Sequence, residues 1–223
     1  MSIVHARGAL DDDRCLVMGI VNRTPDSFYD GGRMDLGAAT AIAEEMVDAG
    51  ADILDLGGVK AGPGPDVAER EELDRVVPLV EAVAARTDVP ISVETARPLV
   101  ASAALDAGAA IVNDVTGADD DELLEVCARS RAALVLMHHG GQIRGRPRHP
   151  RYDDVVVAIK QTWEALAARA NAAGVSDEAL IVDPGLDFGK TTFHSLEVMR
   201  RLDELTALRW PVLVAPSRKD VVG

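Results

Sequence analysis

Seven short apolar runs, six of them closed by a polar residue, constrain this chain more than any other feature. They occupy residues 16–21, 53–56, 91–93, 110–112, 134–137, 181–182 and 212–215. The first ends at Asn22, and the second holds Asp55 and runs into Gly57-Gly58. The next four end at Glu94-Thr95, Asn113-Asp114, His138-His139 and Asp183, and the last leads to Ser217-Arg218-Lys219. Segments with helical spacing separate them. Strand and helix in alternation predict a parallel sheet with crossover helices, and this many units predict a TM (β/α)8 barrel, with seven of its eight strands present. In that fold the residues at the carboxyl ends of the strands converge on one face and build the site.

The connections agree with a barrel. A predicted helix over 36–49 stops at Gly50, a residue suited to a helix C-cap. Further helices are predicted over 69–85, 98–107, 119–128, 155–173 and 195–207. The acidic run 119–122 suits a helix N-terminus and reads as solvated capping. Residues 48–55 echo 106–113: each is a helix end, a glycine turn, a strand and a polar tip. Three connections, 23–34, 57–66 and 140–153, exceed a turn and should lie on the site face, where long loops carry function. No linker divides the chain, so residues 1–223 read as one barrel domain, with 1–14 a flexible or strand-leading segment.

Composition enters as a bound. Hydrophobic residues make up 48% of 223, enough for one large core, but aromatics are only 3%, so Ala, Val and Leu must fill it. A net charge of −14 argues against a general nucleic-acid or anionic-membrane surface. No apolar stretch approaches the roughly 18 residues of a membrane span. The first residues lack the apolar segment of a secretory signal, and a cytoplasmic protein is expected. Cys15 and Cys127 read as buried thiols.

The tip motifs, taken in order, resemble the dihydropteroate synthase family. Asn22-Arg23-Thr24-Pro25-Asp26-Ser27-Phe28 follows the first strand. Asn113-Asp114 follows the fourth and Met137-His138 the fifth. Asp183-Pro184-Gly185-Leu186-Asp187-Phe188-Gly189-Lys190 follows the sixth, and Ser217-Arg218-Lys219 the seventh. The resemblance runs from about residue 16 to residue 223. It implies condensation of a dihydropterin methyl diphosphate with 4-aminobenzoate, releasing diphosphate, in folate synthesis. By the family's pattern Asp183 takes the pterin ring N–H and amino group, Asn113 and Glu94 add contacts, and Lys219 reaches the ring carbonyl. Asn22 is implied as a ligand of Mg2+, an oxygen-seeking cation that bridges phosphates. Thr24, Pro25, Asp26, Ser27 and Phe28 are implied as a lid that excludes water, and Ser217 and Phe188 as the border of the aminobenzoate pocket. The same resemblance implies a homodimer where the full C-terminus is present.

Plainer readings stand beside these. Asn22 can cap a turn, Asp183-Pro184-Gly185 can be an ordinary turn, Asn113 can be a core hydrogen-bonding residue, and Ser217-Arg218-Lys219 can be a solvated basic end. Gly189-Lys190-Thr191-Thr192 lacks the spacing of a phosphate-binding loop.

The chain also departs from the family. Its second loop reads Gly57-Gly58-Val59-Lys60-Ala61-Gly62-Pro63-Gly64, with Ala61 and Gly62 where the family has threonine and arginine. Losing a charge-assisted contact costs about 1.5–3 kcal/mol. Lys60 is a substitute cation, though without a bidentate fork. Glu94 stands for an aspartate, and His139-Gly140-Gly141 departs from Met-Gln-Gly. Arg144, Arg146, Arg148 and Arg151 follow, and are read as a replacement anion site or as a solvated loop. The chain stops where the family continues into an eighth strand, so it reads as a fragment, or else as a protein completed by a partner. Two alternatives to synthase activity follow: a paralogue with lost or altered activity, and the pterin-binding domain of a methyl-folate/corrinoid methyltransferase.

Overall fold

A computed structural model describes residues 2–5, 7–11, 14–23, 35–59, 66–141, 150–217 and 219–222. Six parallel strands form one sheet in sequence order: β3 (Met18–Asn22), β4 (Ile53–Gly57), β5 (Ile91–Glu94), β6 (Ile111–Asp114), β7 (Ala133–Met137) and β8 (Leu180–Asp183). Sequential parallel pairing with a helix in each crossover is the barrel order. The seventh apolar run joins as a single parallel bridge, Val182 to Val212, rather than as a strand. The Leu213 N–H still donates to the Val182 carbonyl at 2.8 Å, so the run continues the strand order.

The described residues before β3 do more than lead into a strand. β1 (Ser2–His5) and β2 (Gly8–Asp11) form an antiparallel hairpin. Ile3 of this hairpin is 4% exposed and packs with Ile53, Ala110, Ile111, Ala133, Val135 and Ile181. That cluster is the inner face of the sheet, and its members Ile53, Ile111, Ala133, Val135 and Ile181 follow the two-residue period of a strand. The hairpin therefore plugs the amino end of the barrel, opposite the strand tips.

The alternate residues face the helices and make the larger core. Leu54, Leu56, Val93, Val112, Leu134, Leu136 and Val182 pack there. The covering helices are α1 (Leu36–Asp48), α2 (Glu69–Ala84), α3 (Pro98–Ala107), α4 (Asp121–Ser130), α5 (Val155–Ala172), α6 (Thr192–Arg200) and α7 (Leu202–Thr206). Local chemistry sets their ends. Asp154 accepts the N–H groups of Val156 and Val157 at the start of α5, and Asp120 accepts that of Glu122 at the start of α4. Gly50 follows α1 at φ +99, a conformation a side chain would strain. The single helix predicted over 195–207 is divided at Arg201 (φ −112, ψ 30), whose guanidinium reaches Asp154, Glu197 and Glu204. Cys127 is buried as expected, but Cys15 is exposed, because it precedes the sheet instead of entering it. Among the described residues no helix is long and apolar enough to cross a membrane.

Candidate active site

Register brings the expected tip residues together. Asn22 pairs with Gly57, Gly57 with Glu94, and Glu94 with Asn113, while Met137 pairs with Asp183. Paired residues in a parallel sheet share a face, so these tips stand with the inward set. One turn of the pleat below, Asp55 pairs with Ser92.

Asp55 anchors the first half of the site. It is 3% exposed, and its carboxylate accepts the Ser92 hydroxyl at 2.6 Å and the Asn113 amide at 3.1 Å. Burial nonetheless raises its pKa above the usual carboxylate range. Glu94 beside it is pushed up to about 8, first by burial and then by the Asp55 charge, with Lys219 opposing. At neutral pH Glu94 is therefore mainly a carboxylic acid, able to donate a hydrogen bond. Asn113 commits its amide N–H to Asp55, which leaves its oxygen as an acceptor. Asp114 instead folds the turn after β6, its carboxylate accepting from Thr116 and from the Ala118 N–H.

The second half is built on β7, β8 and the loops after them. Asp183 is 6% exposed, and its carboxylate accepts the Gly185 N–H at 2.6 Å. Its carbonyl accepts the indole N–H of the wholly buried Trp163 at 3.1 Å, which ties α5 to this tip. Burial raises the Asp183 pKa, while Lys219 and Lys190 pull it back. Lys190 is 1% exposed and donates to the carbonyls of Gly185 (2.9 Å), His138 (3.0 Å) and Phe188 (3.1 Å). The His138 Nδ1 lies 2.7 Å from the same amine. Burial draws the Lys190 amine down to about 7, with the Asp183 charge opposing, and burial together with Lys190 holds His138 down to about 3. His138 is thus neutral throughout the physiological range. Lys219 stands 4.4 Å over the Phe188 ring, a cation on an aromatic face. Burial lowers its pKa, and Asp183, Asp187 and Glu94 raise it.

Asn22, Glu94, Asn113, Asp183, Phe188 and Lys219 thus meet at one end of the sheet, whereas Ser217 is exposed beside them. The Asn22 Oδ1 is buried without a hydrogen-bond partner among the described residues. A Cβ on Gly57 would collide with that oxygen, so glycine there is what lets the carboxamide in. Thr24, Pro25, Asp26, Ser27, Phe28, Lys60, Arg144, Arg146 and Arg148 lie outside the described residues. Arg151 is described, and it lines a cleft of about 330 Å³ with His138, His139 and Tyr152. Sequence reasoning passed over Asp55 as a site residue; a carboxylate two residues before a strand tip, on the inward phase of the period, was the available signal. It also left Lys190 without a role, because an oxygen cage built from main-chain carbonyls leaves no mark in side-chain identities.

The family profile described as "Pterin binding enzyme" matches residues 18–223. The chain belongs to the pterin-binding, dihydropteroate synthase family. It is similar to the inactive dihydropteroate synthase 2 of Mycobacterium leprae, 47% identical over 222 residues that cover 95% of this chain and 75% of the relative. It is also similar to the dihydropteroate synthase of Synechocystis, 42% identical over 217 residues that cover 94% of this chain and 74% of the relative. The Yersinia pestis dihydropteroate synthase solved with a sulfonamide drug superposes with a TM-score of 0.93 at 41% identity, covering 100% of this chain and 81% of that one. The Xanthomonas albilineans synthase in complex with 7,8-dihydropteroate gives a TM-score of 0.85 at 40% identity, covering 96% of this chain and 77% of that one.

Proposed function

We propose that this chain is a pterin-binding paralogue in which the synthase reaction is lost or altered. A contrast within one site carries the reading. The groups suited to a pterin edge are assembled: Asn113 and Asp183 offer acceptors to ring N–H and amino donors, and Lys219 offers a donor to a carbonyl. Glu94, in the position where the family uses aspartate, is longer and is held as a neutral acid against Asp55. A misplacement of about 1 Å at a reacting centre can cost a hundredfold in rate, so this change bears more on turnover than on binding. By the family's pattern, Ala61 and Gly62 stand where a threonine and an arginine usually touch substrate and phosphate, so a hydroxyl and a guanidinium are missing from the sequence there. The greater identity to a relative named inactive than to a relative named as a synthase supports the same reading.

The substrates that fit are a dihydropterin methyl diphosphate and an arylamine such as 4-aminobenzoate. The unpartnered Asn22 oxygen fits a hard divalent cation such as Mg2+. Asn22 is the residue that would hold that ion; among the described residues no group of three acidic, His or Cys side chains forms a metal site of its own. When bound, the ion would neutralise charge on the leaving diphosphate. The chain's own residues would orient the pterin and, through Phe188, border the amine.

The test is thermal melting with and without the dihydropterin diphosphate and Mg2+, paired with a 4-aminobenzoate turnover assay. A ligand that binds only the folded state at about 100 times its Kd adds about 2.7 kcal/mol, so the midpoint should rise while no dihydropteroate forms. Turnover at a rate typical of enzymes would restore the synthase reading; an unmoved midpoint would remove the pterin site altogether.

A further inference from the structure

The loop after β8 contains a conformation that its sequence does not favour. Asp187 sits at φ +66, between Gly185 at +64 and Gly189 at +57. The glycines adopt this region freely, and Asp is with Asn among the few other residues that visit it, at a cost relative to glycine that its surroundings must offset. Two sets of contacts do so. The Asp187 N–H donates to the Ser195 hydroxyl at 3.1 Å, and that hydroxyl donates back to the Asp187 carboxylate at 3.3 Å. Ser195 is wholly buried in α6, so this side is fixed to the core. On the other side the carboxylate accepts the Asp220 N–H at 2.6 Å.

Asp220 follows Lys219, and the described part of the segment that carries them has no strand or helix of its own. A charge-assisted bond to a main-chain N–H is the kind of contact that can fix such a segment. We propose that Asp187 is a positioning residue: its carboxylate ties the Lys219 turn to the loop after β8, so that the Lys219 amine stands over Phe188 beside Asp183. The strained backbone is then the means by which the carboxylate is aimed away from its own loop and toward the turn. The consequence for ligands rests on the pterin reading above, but the tie itself does not.

The test separates the tie from a merely structural role. Asp187→Gly relieves the left-handed strain and removes the carboxylate, whereas Asp187→Asn tolerates the same backbone and keeps an acceptor oxygen. Reaction of Lys219 with an amine-acylating reagent is followed by mass spectrometry, with Lys160 as internal reference. In Asp187→Gly, local opening of the turn should raise Lys219 reactivity about threefold or more relative to Lys160, with the melting midpoint unchanged or higher. Asp187→Asn should stay within about twofold of the parent. Affinity for the dihydropterin diphosphate should fall about tenfold in the glycine variant, which is about 1.4 kcal/mol. Unchanged Lys219 reactivity in Asp187→Gly overturns the proposal whatever the ligand does, and so does a glycine variant that no longer folds. Loosened Lys219 in a chain whose parent binds no dihydropterin leaves the tie standing and removes the function reading instead.

Discussion

Burial shifts the groups that distinguish the two halves of the site in opposite directions. On β4, β5 and β6, carboxyl groups are gathered close together and burial keeps them from ionising freely: Asp55 is raised and Glu94 is pushed up to about 8. In the loops after β7 and β8, around Asp183, whose own pKa burial also raises, a histidine and a lysine are gathered and burial keeps them from protonating freely: His138 is held down to about 3 and Lys190 to about 7. The second half is also braced by large side chains from outside the sheet, Trp163 foremost, while the first is braced by short hydrogen bonds among Asp55, Ser92 and Asn113. A large side chain packed in from a helix therefore adds to main-chain hydrogen bonds in one half, while the other relies on hydrogen bonds among its own side chains. The largest expected effect follows from that difference. Trp163→Ala should destabilise the protein by about 3–5 kcal/mol, the range for deleting a buried aromatic side chain. Chemical denaturation would show it as a lower midpoint at unchanged slope. A loss below about 1 kcal/mol would mean that α5 does not brace the β8 tip.

Asn113→Ala probes the other half. It leaves the buried Asp55 carboxylate without one of its two donors, and an unsatisfied buried group costs about 1–3 kcal/mol. The loss should be smaller than that of Trp163→Ala and should come with weaker dihydropterin binding, since the Asn113 oxygen is also removed. Equal stability of parent and variant would show that Asp55 is held by Ser92 alone.

Glu94 and His138, one from each half, should also respond oppositely to pH. Glu94 has a folded pKa above its unfolded value, so the folded state keeps a proton that the unfolded state releases between about 4.5 and about 8. Its contribution to stability is complete below that window and declines as pH rises through it. His138 is the reverse: its folded pKa lies below its unfolded value, so stability is lost as pH falls from about 6.5 toward about 3. Glu94→Gln should therefore flatten the decline on the alkaline side, by up to a few kcal/mol. The acid limb should persist in that variant. Stability-versus-pH curves of the two chains that run parallel from pH 5 to 8 would break the contrast.

Much of this was legible in the sequence, for identifiable reasons. The strand order follows from apolar runs with polar ends, because a two-residue period and a tip are local properties. Asn22, Glu94, Asn113 and Asp183 meet because register carries tips to one level, which the barrel pattern already implies. Three things were not legible. The hairpin of β1 and β2 needs the long-range contact of Ile3 with the inner face. The state of Glu94 depends on Asp55, far from it in sequence, and on how deeply both are buried. The cage around Lys190 is made of main-chain carbonyls, whose direction depends on the handedness of the turns at Gly185 and Gly189 and not on any side chain.

The smallest effect lies at the edge of the braced half and tests how far the brace extends. α6 begins with a reciprocal cap: the Thr191 hydroxyl accepts the His194 N–H, and the His194 ring accepts the Thr191 N–H, both at 3.2 Å. Both residues are largely outside the core, so the cap is open to water and its loss is partly compensated. Thr191→Ala should cost about 1 kcal/mol. In a domain of this size that lowers the melting midpoint by about 2–4 °C. Dihydropterin affinity should not change, because Lys190, one residue earlier, already fixes the loop through Gly185, Phe188 and His138. A Thr191→Ala variant with weakened ligand binding would show that helix α6, rather than the buried lysine, sets the position of Asp183 and Phe188.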